Sequence, residues 1–551
     1  MRSSWESLSK IQKILLVFFL FVIFLYCFNQ LNNPDTFYDL RAGQLISQTG
    51  QIPYHDVFSF TAPGAQWIPH EWLAQLIFYG VQVALGFWGL IAFVAALAVA
   101  TYCLLFALAM KKGANFYITL LVLFASGAAG FPFWVPRPQA IVFLLCVALV
   151  YLLERYRNTP KAGYLYGSAV IVLLWANINA SVMLALGIIA LFLAIIVFRE
   201  RRWSLHIKYL LCTLLASVGL AFMNPSGYRI FTYGVMILPA IKAFGVSEWQ
   251  PITAYWSGWD TKAFVAAIIV FTLFIVWRLG RRAPRDWVWI ALAVATAIAP
   301  FIAARYLAFW ALFMVPPLAV AISGMAKRFL DGVRATTLVA VAFVLLGILF
   351  FVRVAVFPRT SVDAAALPVA SAEFLAEQGA QGNAFNVYEQ GGYLLWRLWP
   401  QVKIAMDGRS ETYLGAPTQN YFAILHDASS ADELISKTYD IQYFILPYDP
   451  TLLAGIHPLL LYLDQHDWQL VWWDDSAIVL AKDDVQNKGL IANYALHYVG
   501  PFIDPSTISA ADTPLAVAEL RSLIDRAPDS PVVASYVSAF LASHPAAGLS
   551  R

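Results

Sequence analysis

The residues best equipped for chemistry lie between Asn33 and Leu73, in NPDTFYDLRAGQLISQTGQIPYHDVFSFTAPGAQWIPHEWL. This stretch brings Asp35, Asp39, Arg41, His55, Asp56, His70 and Glu71 together and punctuates them with prolines and glycines. Loops this long are usually functional or disordered, and regularly spaced aromatics from Phe37 to Trp72 argue for a folded one. Asp35 comes just past the first apolar segment, where a carboxylate can act as a general base or bind a metal. The same residue can equally be a turn or a cap for the next helix. Asp56 has the same two readings, with an Asx-turn before FSFT as the plainer one. His70 and Glu71 open a helical stretch, where Glu in a first turn is ordinary complementation of the helix dipole.

A second group is cationic. Arg137 lies between two prolines in FWVPRPQ, and Arg305 follows two alanines between two apolar runs. Each can snorkel towards headgroups or hold a phosphate bidentately. Arg41, Arg229 and Arg353 are weaker members of the group. Asn177 and Asn179 in LLWANINA read as helix glue or ligand contacts. Glu248 and Trp249 in SEWQP read as a pocket rim or as an interfacial pair. Far downstream, Asp407 and Arg409 in MDGRSETY close a strand, the end at which open α/β sheets bind ligands. An Asp–Arg pair in a plain turn is the alternative there. No phosphate-binding loop, dinucleotide fingerprint, HExxH or nucleophile elbow is present, which argues against a nucleotide-driven pump or a soluble-type hydrolase.

The elements that must hold these groups are mostly membrane helices. The 551 residues are 60% hydrophobic and 13% charged, far from a soluble composition. The net charge of +3 is too small to point to nucleic acid. The four cysteines all lie inside apolar runs and read as packing residues. No cleavage site follows the apolar run after Lys13, so it is expected to be an uncleaved span. Eleven candidate spans follow: 14–30, 87–110, 115–132, 138–154, 162–176, 180–198, 207–223, 262–278, 287–303, 306–323 and 335–352. Lysines and arginines fall on alternate connections, at 10/13, 111/112, 155/157/161, 199/201/202, 278/281/282/285 and 327/328/334. By the positive-inside rule the N-terminus is cytoplasmic, and the Asn33–Leu73 loop and everything after about Arg353 are outside. The segment 70–86 reads as an amphipathic helix at the outer interface.

Three regions are expected: a transmembrane domain over 1–355 with its first outer loop at 31–86, an outer α/β domain over 360–484, and a helical, tetratricopeptide-like tail over 485–551. Strands are predicted at 384–388, 403–407, 443–447, 468–473 and 477–481, in a mostly parallel sheet whose last two strands meet in a hairpin at Asp474-Asp475-Ser476. Helices are predicted at 391–399, 411–425, 429–438 and 451–466.

The first loop resembles that of a family of bacterial membrane proteins in the GT-C glycosyltransferase superfamily, of the form DPDxWWHLRxGxxIxxxGxxPxxDxFSxTxxGxxWxxHEWL. The resemblance continues through VPRPQ, LWANIN, MNPSGYR, SEWQP, AARYLAF and FNVYEQGGYLLWRLWPQVKIAMDGRSETY. Enzymes of that superfamily, such as protein O-mannosyltransferases and lipid A aminoarabinose transferases, use polyprenyl-phosphate sugars outside the cytoplasm. The resemblance therefore implies an inner-membrane glycosyltransferase with a periplasmic outer domain. It places Asp35 as catalytic base, with Asp39, Asp56, His70 and Glu71 as acceptor or metal candidates. Arg41, Arg137 and Arg305 become donor-phosphate candidates, and Asp407 and Arg409 outer-domain candidates. The acceptor would be an envelope glycan, lipid or protein, and a divalent cation is compatible but not required. Two departures stand out: the family's WWHLR reads FYDLR here, with Asp39 for His, and a His after WAN is Asn179. A non-enzymatic carrier or assembly factor for a lipid-linked glycan is the competing reading.

Overall fold

The computed structural model describes residues 6, 8–255, 258–281, 286–332 and 335–548. Arg282, Arg285 and Arg334 of the basic clusters lie outside the described residues. The chain forms two compact units. One comprises Met1–Leu31, Gly43–Ile52 and Ile68–Ser361; the other comprises Asn32–Ala42, Pro53–Trp67 and Val362–Arg551.

The first unit is helical. In chain order its helices are α1 (Lys10–Cys27), α2 (Asp35–Thr49, whose first turns belong to the second unit), α3 (Trp72–Lys111), α4 (Phe116–Gly130), α5 (Pro138–Asn158), α6 (Ala162–Ile178), α7 (Val182–Glu200) and α8 (Leu205–Ala221). They continue with α9 (Arg229–Met236), α10 (Leu238–Phe244), α11 (Trp259–Gly280), α12 (Trp287–Ile298), α13 (Leu307–Phe313), α14 (Val315–Gly332) and α15 (Ala335–Ala355). Among the described residues seven helices are long and apolar enough to cross a membrane, or eight if the bent pair Ala304–Phe313 and Val315–Ala326 is one span. The runs at Ala162–Ile178, Leu205–Ala221 and Trp287–Phe301 are apolar but shorter. The protein is an integral membrane protein. Within α3, Gly86 has a positive φ of 69° and interrupts the helix, so the segment read as a separate helix at 70–86 ends at this break.

Two polar devices fasten this unit. Lys112 and Arg157 hold Asp286 at 2.7 and 2.9 Å, and Arg157 and Lys112 hold buried Glu154 at 3.0 and 3.4 Å. Trp289 Nε1 also donates to Glu154, at 2.9 Å. The ends of α3 and α5 are thereby tied to the start of α12. Arg353, a weak phosphate candidate from sequence, caps a helix instead. Its guanidinium donates to the carbonyls of Leu25 (2.8 Å), Phe28 (2.6 Å) and Val356 (3.1 Å) and to Asn29 Oδ1 (2.9 Å). The carbonyls at the end of α1 have no helical partner of their own, and a guanidinium supplies enough donors for several.

The second unit is built on a five-stranded sheet. Its elements are α16 (Val369–Glu377), β1 (Gly382–Asn386), α17 (Gly391–Leu398), β2 (Val402–Ile404), α18 (Ala416–His426), β3 (Ile441–Leu446), α19 (Pro450–Gly455), α20 (His457–Gln465), β4 (Trp468–Trp473), β5 (Ile478–Lys482), α21 (Lys488–Tyr494), α22 (Thr513–Arg526) and α23 (Pro531–Ser543). The strand order is β2-β1-β3-β5-β4. β1 pairs in parallel with β2 and β3, whereas β5 runs antiparallel to β3 and β4. The sheet is mixed rather than mostly parallel, because the β4–β5 hairpin inserts its second strand beside β3. Every residue of β3, IQYFIL, is buried, as a central strand covered on both faces should be. The hairpin turn is closed by Asp474, whose Oδ1 accepts from the Ser476 and Ala477 amides at 2.8 and 2.9 Å. Two buried tryptophans, Trp472 and Trp473, lead into this turn.

The free edge of β2 is covered by the first outer loop. Ser59 bridges to Ile404, the Phe60 amide donates to the Ile404 carbonyl at 3.1 Å, and Thr61 Oγ1 donates to the Ala405 carbonyl at 2.5 Å. The FSFT run therefore works as an edge strip, which removes an exposed strand edge.

Candidate functional site

The Asn33-Pro34-Asp35 turn meets the C-terminal ends of β1 and β2 through three glycines. A Cβ on Gly392 would overlap the Pro34 carbonyl, one on Gly391 the Met406 carbonyl, and one on Gly408 the Asp35 carboxylate. Asn386, fully buried, ties the strand ends together: its side chain accepts from Ala405 N and donates to the Met406 carbonyl, both at 2.9 Å. Asn33 Oδ1 accepts from Asp35 N at 2.9 Å, so the cap of α2 is Asn33 and Asp35 is its first-turn residue. The Asp35 side chain is half-buried. Beside it the Tyr388 hydroxyl shares a 2.5 Å hydrogen bond with Ser410 Oγ, and burial first, then the Asp35 charge, push the Tyr388 pKa up. A carboxylate that water reaches, next to neutral hydroxyl groups at strand ends, is placed to take a proton from an incoming hydroxyl. Gly408→Ala should therefore cut any Asp35-dependent turnover by about 10²-fold, since a displacement of about an ångström costs that much. Circular dichroism should stay unchanged.

Asp56, Asp407 and Arg409 come together as a buried trio. Arg409 binds Asp407 with a fork, Nε to Oδ1 at 2.8 Å and Nη2 to Oδ2 at 2.6 Å, and its Nη1 makes an ion pair with Asp56 Oδ1 at 2.7 Å. Its guanidinium lies over Trp67 and Phe58 at 4.7 and 4.9 Å. Asp56 also accepts from Ser59 N at 3.0 Å and Ser59 Oγ at 2.6 Å. All three residues are buried, so they fasten the first loop to the β2 end and present nothing to an acceptor. Arg41 is likewise held: it donates to the Trp396 carbonyl and lies over the rings of Trp396 and Trp399. Asp39 is fully buried.

The other unit gathers two more groups of sequence candidates. Glu71, buried, accepts from Asn179 Nδ2 at 2.7 Å and lies 3.6 Å from His70 Nε2. His70 stacks on Tyr233 with ring centres 3.9 Å apart, and Trp72 Nε1 donates to Asn177 Oδ1 at 3.0 Å. HEWL and WANIN thus form one polar knot. Arg137 and Arg305 share Glu248: Arg137 Nη1 reaches both its oxygens at 3.2 and 3.0 Å, and Arg305 Nη1 reaches Oε1 at 3.2 Å while its guanidinium stacks on Trp249 at 4.6 Å. Two cations thus converge on one carboxylate.

Glu248 titrates below the ordinary range. Burial pushes its pKa up, but Arg137 and then Arg305 pull it down further. A depressed carboxylate contributes stability that is complete above its unfolded value and is lost as pH falls through the lower folded value. Thermal unfolding should therefore show a loss of stability on acidification below about pH 4.3, the unfolded value. The acid-dependent loss should be smaller in Glu248→Gln.

Among the described residues no three His, Cys, Asp or Glu side chains gather at metal-ligand spacing. Tyr388, Ser410 and the three glycines were not singled out from sequence. Their signal was present in EQGGY and DGRS, where glycines come a few residues after the strands, but small residues announce close approach only once the partner is known.

No known family profile matches the sequence, and no curated protein does. Solved structures do match. The archaeal oligosaccharyltransferase AglB from Archaeoglobus fulgidus, in complex with an inhibitory peptide and a dolichol-phosphate, superposes with a TM-score of 0.52 over 86% of this chain and 75% of that one, at 10% identity. The two chains share a fold. ArnT from Cupriavidus metallidurans bound to undecaprenyl phosphate gives 0.51 over 86% and 97% at 12% identity, and its apo form gives 0.51 over 85% and 97% at 14%. At this identity the similarity speaks for a shared fold of helices and appended domain.

Proposed function

We propose that this protein is an inverting glycosyltransferase of a bacterial inner membrane, with eleven crossings, a cytoplasmic N-terminus and its sheet domain in the periplasm. It moves a sugar from a polyprenyl-phosphate carrier to a hydroxyl of an envelope acceptor. Asp35 takes the hydroxyl proton as the acceptor oxygen bonds to the sugar's anomeric carbon. The bond from that carbon to the phosphate breaks, and its electron pair leaves on the polyprenyl phosphate. Charge grows on the phosphate oxygens, where Arg137 and Arg305 can offset it. Glu71, oriented by Asn179, is the second carboxylate for positioning the acceptor or a cation. Asp56, Asp407 and Arg409 hold the loop that carries Asp35.

The observation that carries this reading is the glycine-lined seat of Asp35 at the strand ends, in a fold shared with AglB and ArnT, one bound to a dolichol-phosphate and the other to undecaprenyl phosphate. The test is transfer from a panel of radiolabelled polyprenyl-phosphate sugars to mixed envelope glycans by purified protein in nanodiscs. Labelled product is expected. Donor binding without transfer from any sugar would favour a carrier.

A further inference from the structure

The second unit also contains a cleft of about 430 Å³ lined by Gln378, Gln381, Tyr443, Gln486, Asn487 and Asn493 among others, within the usual range for small-ligand sites of ~300–1,000 Å³. It opens where β1 begins, whereas Asp35 sits where β1 and β2 end. No lining residue is charged. The floor is rigid: the Tyr443 hydroxyl donates to Asn487 Oδ1 at 2.6 Å, and Asn487 Nδ2 donates to the Lys482 carbonyl at 3.1 Å, with both residues buried. Gln486 Nε2 reaches the Gln381 carbonyl at 2.7 Å and draws the two lips together. The Asp484 carboxylate is spent on the loop, accepting from the amides of Gln486 and Asn487 at 2.9 and 3.2 Å.

We infer that this cleft binds a neutral stretch of carbohydrate and is the distal subsite for the acceptor glycan. The inference rests on the transferase reading above. An anion or cation would find no counter-charge here. A polyol finds what it needs, because the exposed amides of Gln378 and Asn493 each offer a donor and an acceptor on one plane, matching adjacent hydroxyls. A peptide would rather add to an open strand edge, and neither edge strand contributes to the lining. The five residues of β1 span about 17 Å. A glycan seated in the cleft therefore reaches Asp35 only through several further sugar units, so the acceptor is oligomeric.

Binding of maltohexaose, chitotetraose, a galacturonate oligomer and a Gly-Ser-rich peptide would be measured calorimetrically on the full-length protein in nanodiscs. Millimolar binding of a neutral oligosaccharide is expected, about tenfold weaker in Gln378→Ala/Asn493→Ala, whose side chains are exposed, and unchanged in Asp35→Asn. No binding of either neutral sugar, binding unaffected by the double substitution, or preference for the galacturonate or the peptide would overturn the inference. Binding without catalytic transfer would overturn the transferase reading, and with it the acceptor role of the cleft but not its carbohydrate binding; transfer without binding would overturn this subsite alone.

Discussion

Asp35→Asn is expected to lower sugar transfer by about 10²–10⁴-fold, the range lost with a general base, while leaving donor binding intact. The change is nearly isosteric. The Asn33 side chain still receives the backbone N–H of residue 35, because that contact uses no atom of the Asp35 carboxyl group. Gly408 still leaves room for a group of the same size. What disappears is the ability to accept a proton. Binding of the polyprenyl phosphate should follow Arg137 and Arg305 instead, each a bidentate-capable cation whose loss weakens a phosphate contact. Single-turnover transfer and equilibrium donor binding, measured on the same nanodisc preparation, separate the two effects. If Asp35→Asn turned over at the wild-type rate, Asp35 would revert to the role its first-turn position also permits, complementing the dipole of α2.

Much of this arrangement could be read from the sequence, and what could not has a common cause. Apolar runs and turn residues located the long apolar helices and all five strands, because periodicity and punctuation are local properties, but they missed α2, α9, α10 and α16. The parallel bias of the sheet was misjudged because pairing partners are not local: whether β5 inserts beside β3 depends on a hairpin closed by Asp474. The candidate residues were legible as types but not as groups. Asp56 and Arg409 are some 350 positions apart in the chain, and nothing in either segment announces the other. Arg353 looked like a phosphate ligand because an arginine near a helix end has many uses, and only the carbonyls at the end of α1 decide between them. Likewise Asn179 appeared as a departure from a histidine pattern; in the structure it donates a neutral amide proton to a buried carboxylate, a task an imidazole N–H would also perform.

The Asp56–Arg409–Asp407 trio carries the largest expected effect on stability. Arg409 is buried; burial works against its charge, and Asp407, Tyr413 and Asp56 together outweigh that cost. Breaking one partner of such a group leaves an uncompensated charge, which costs about 3–5 kcal/mol. Arg409→Met and Asp56→Asn should each lower the unfolding temperature of the second unit by roughly 6–20 °C. Arg409→Lys should not rescue it, since an ammonium can neither fork onto Asp407 nor stack flat on Trp67 and Phe58. The Asp56→Asn variant is the sharper test. It retains an oxygen for the Ser59 amide and replaces the Oδ1 that faces Arg409 and accepts from the Phe58 amide at 3.3 Å. Because the trio anchors the loop rather than the acceptor, its variants should lose transfer in proportion to lost folded protein, and the remaining folded fraction should work normally. A variant that unfolded at the wild-type temperature yet failed to transfer would move Asp56 or Arg409 from the scaffold into the reaction itself.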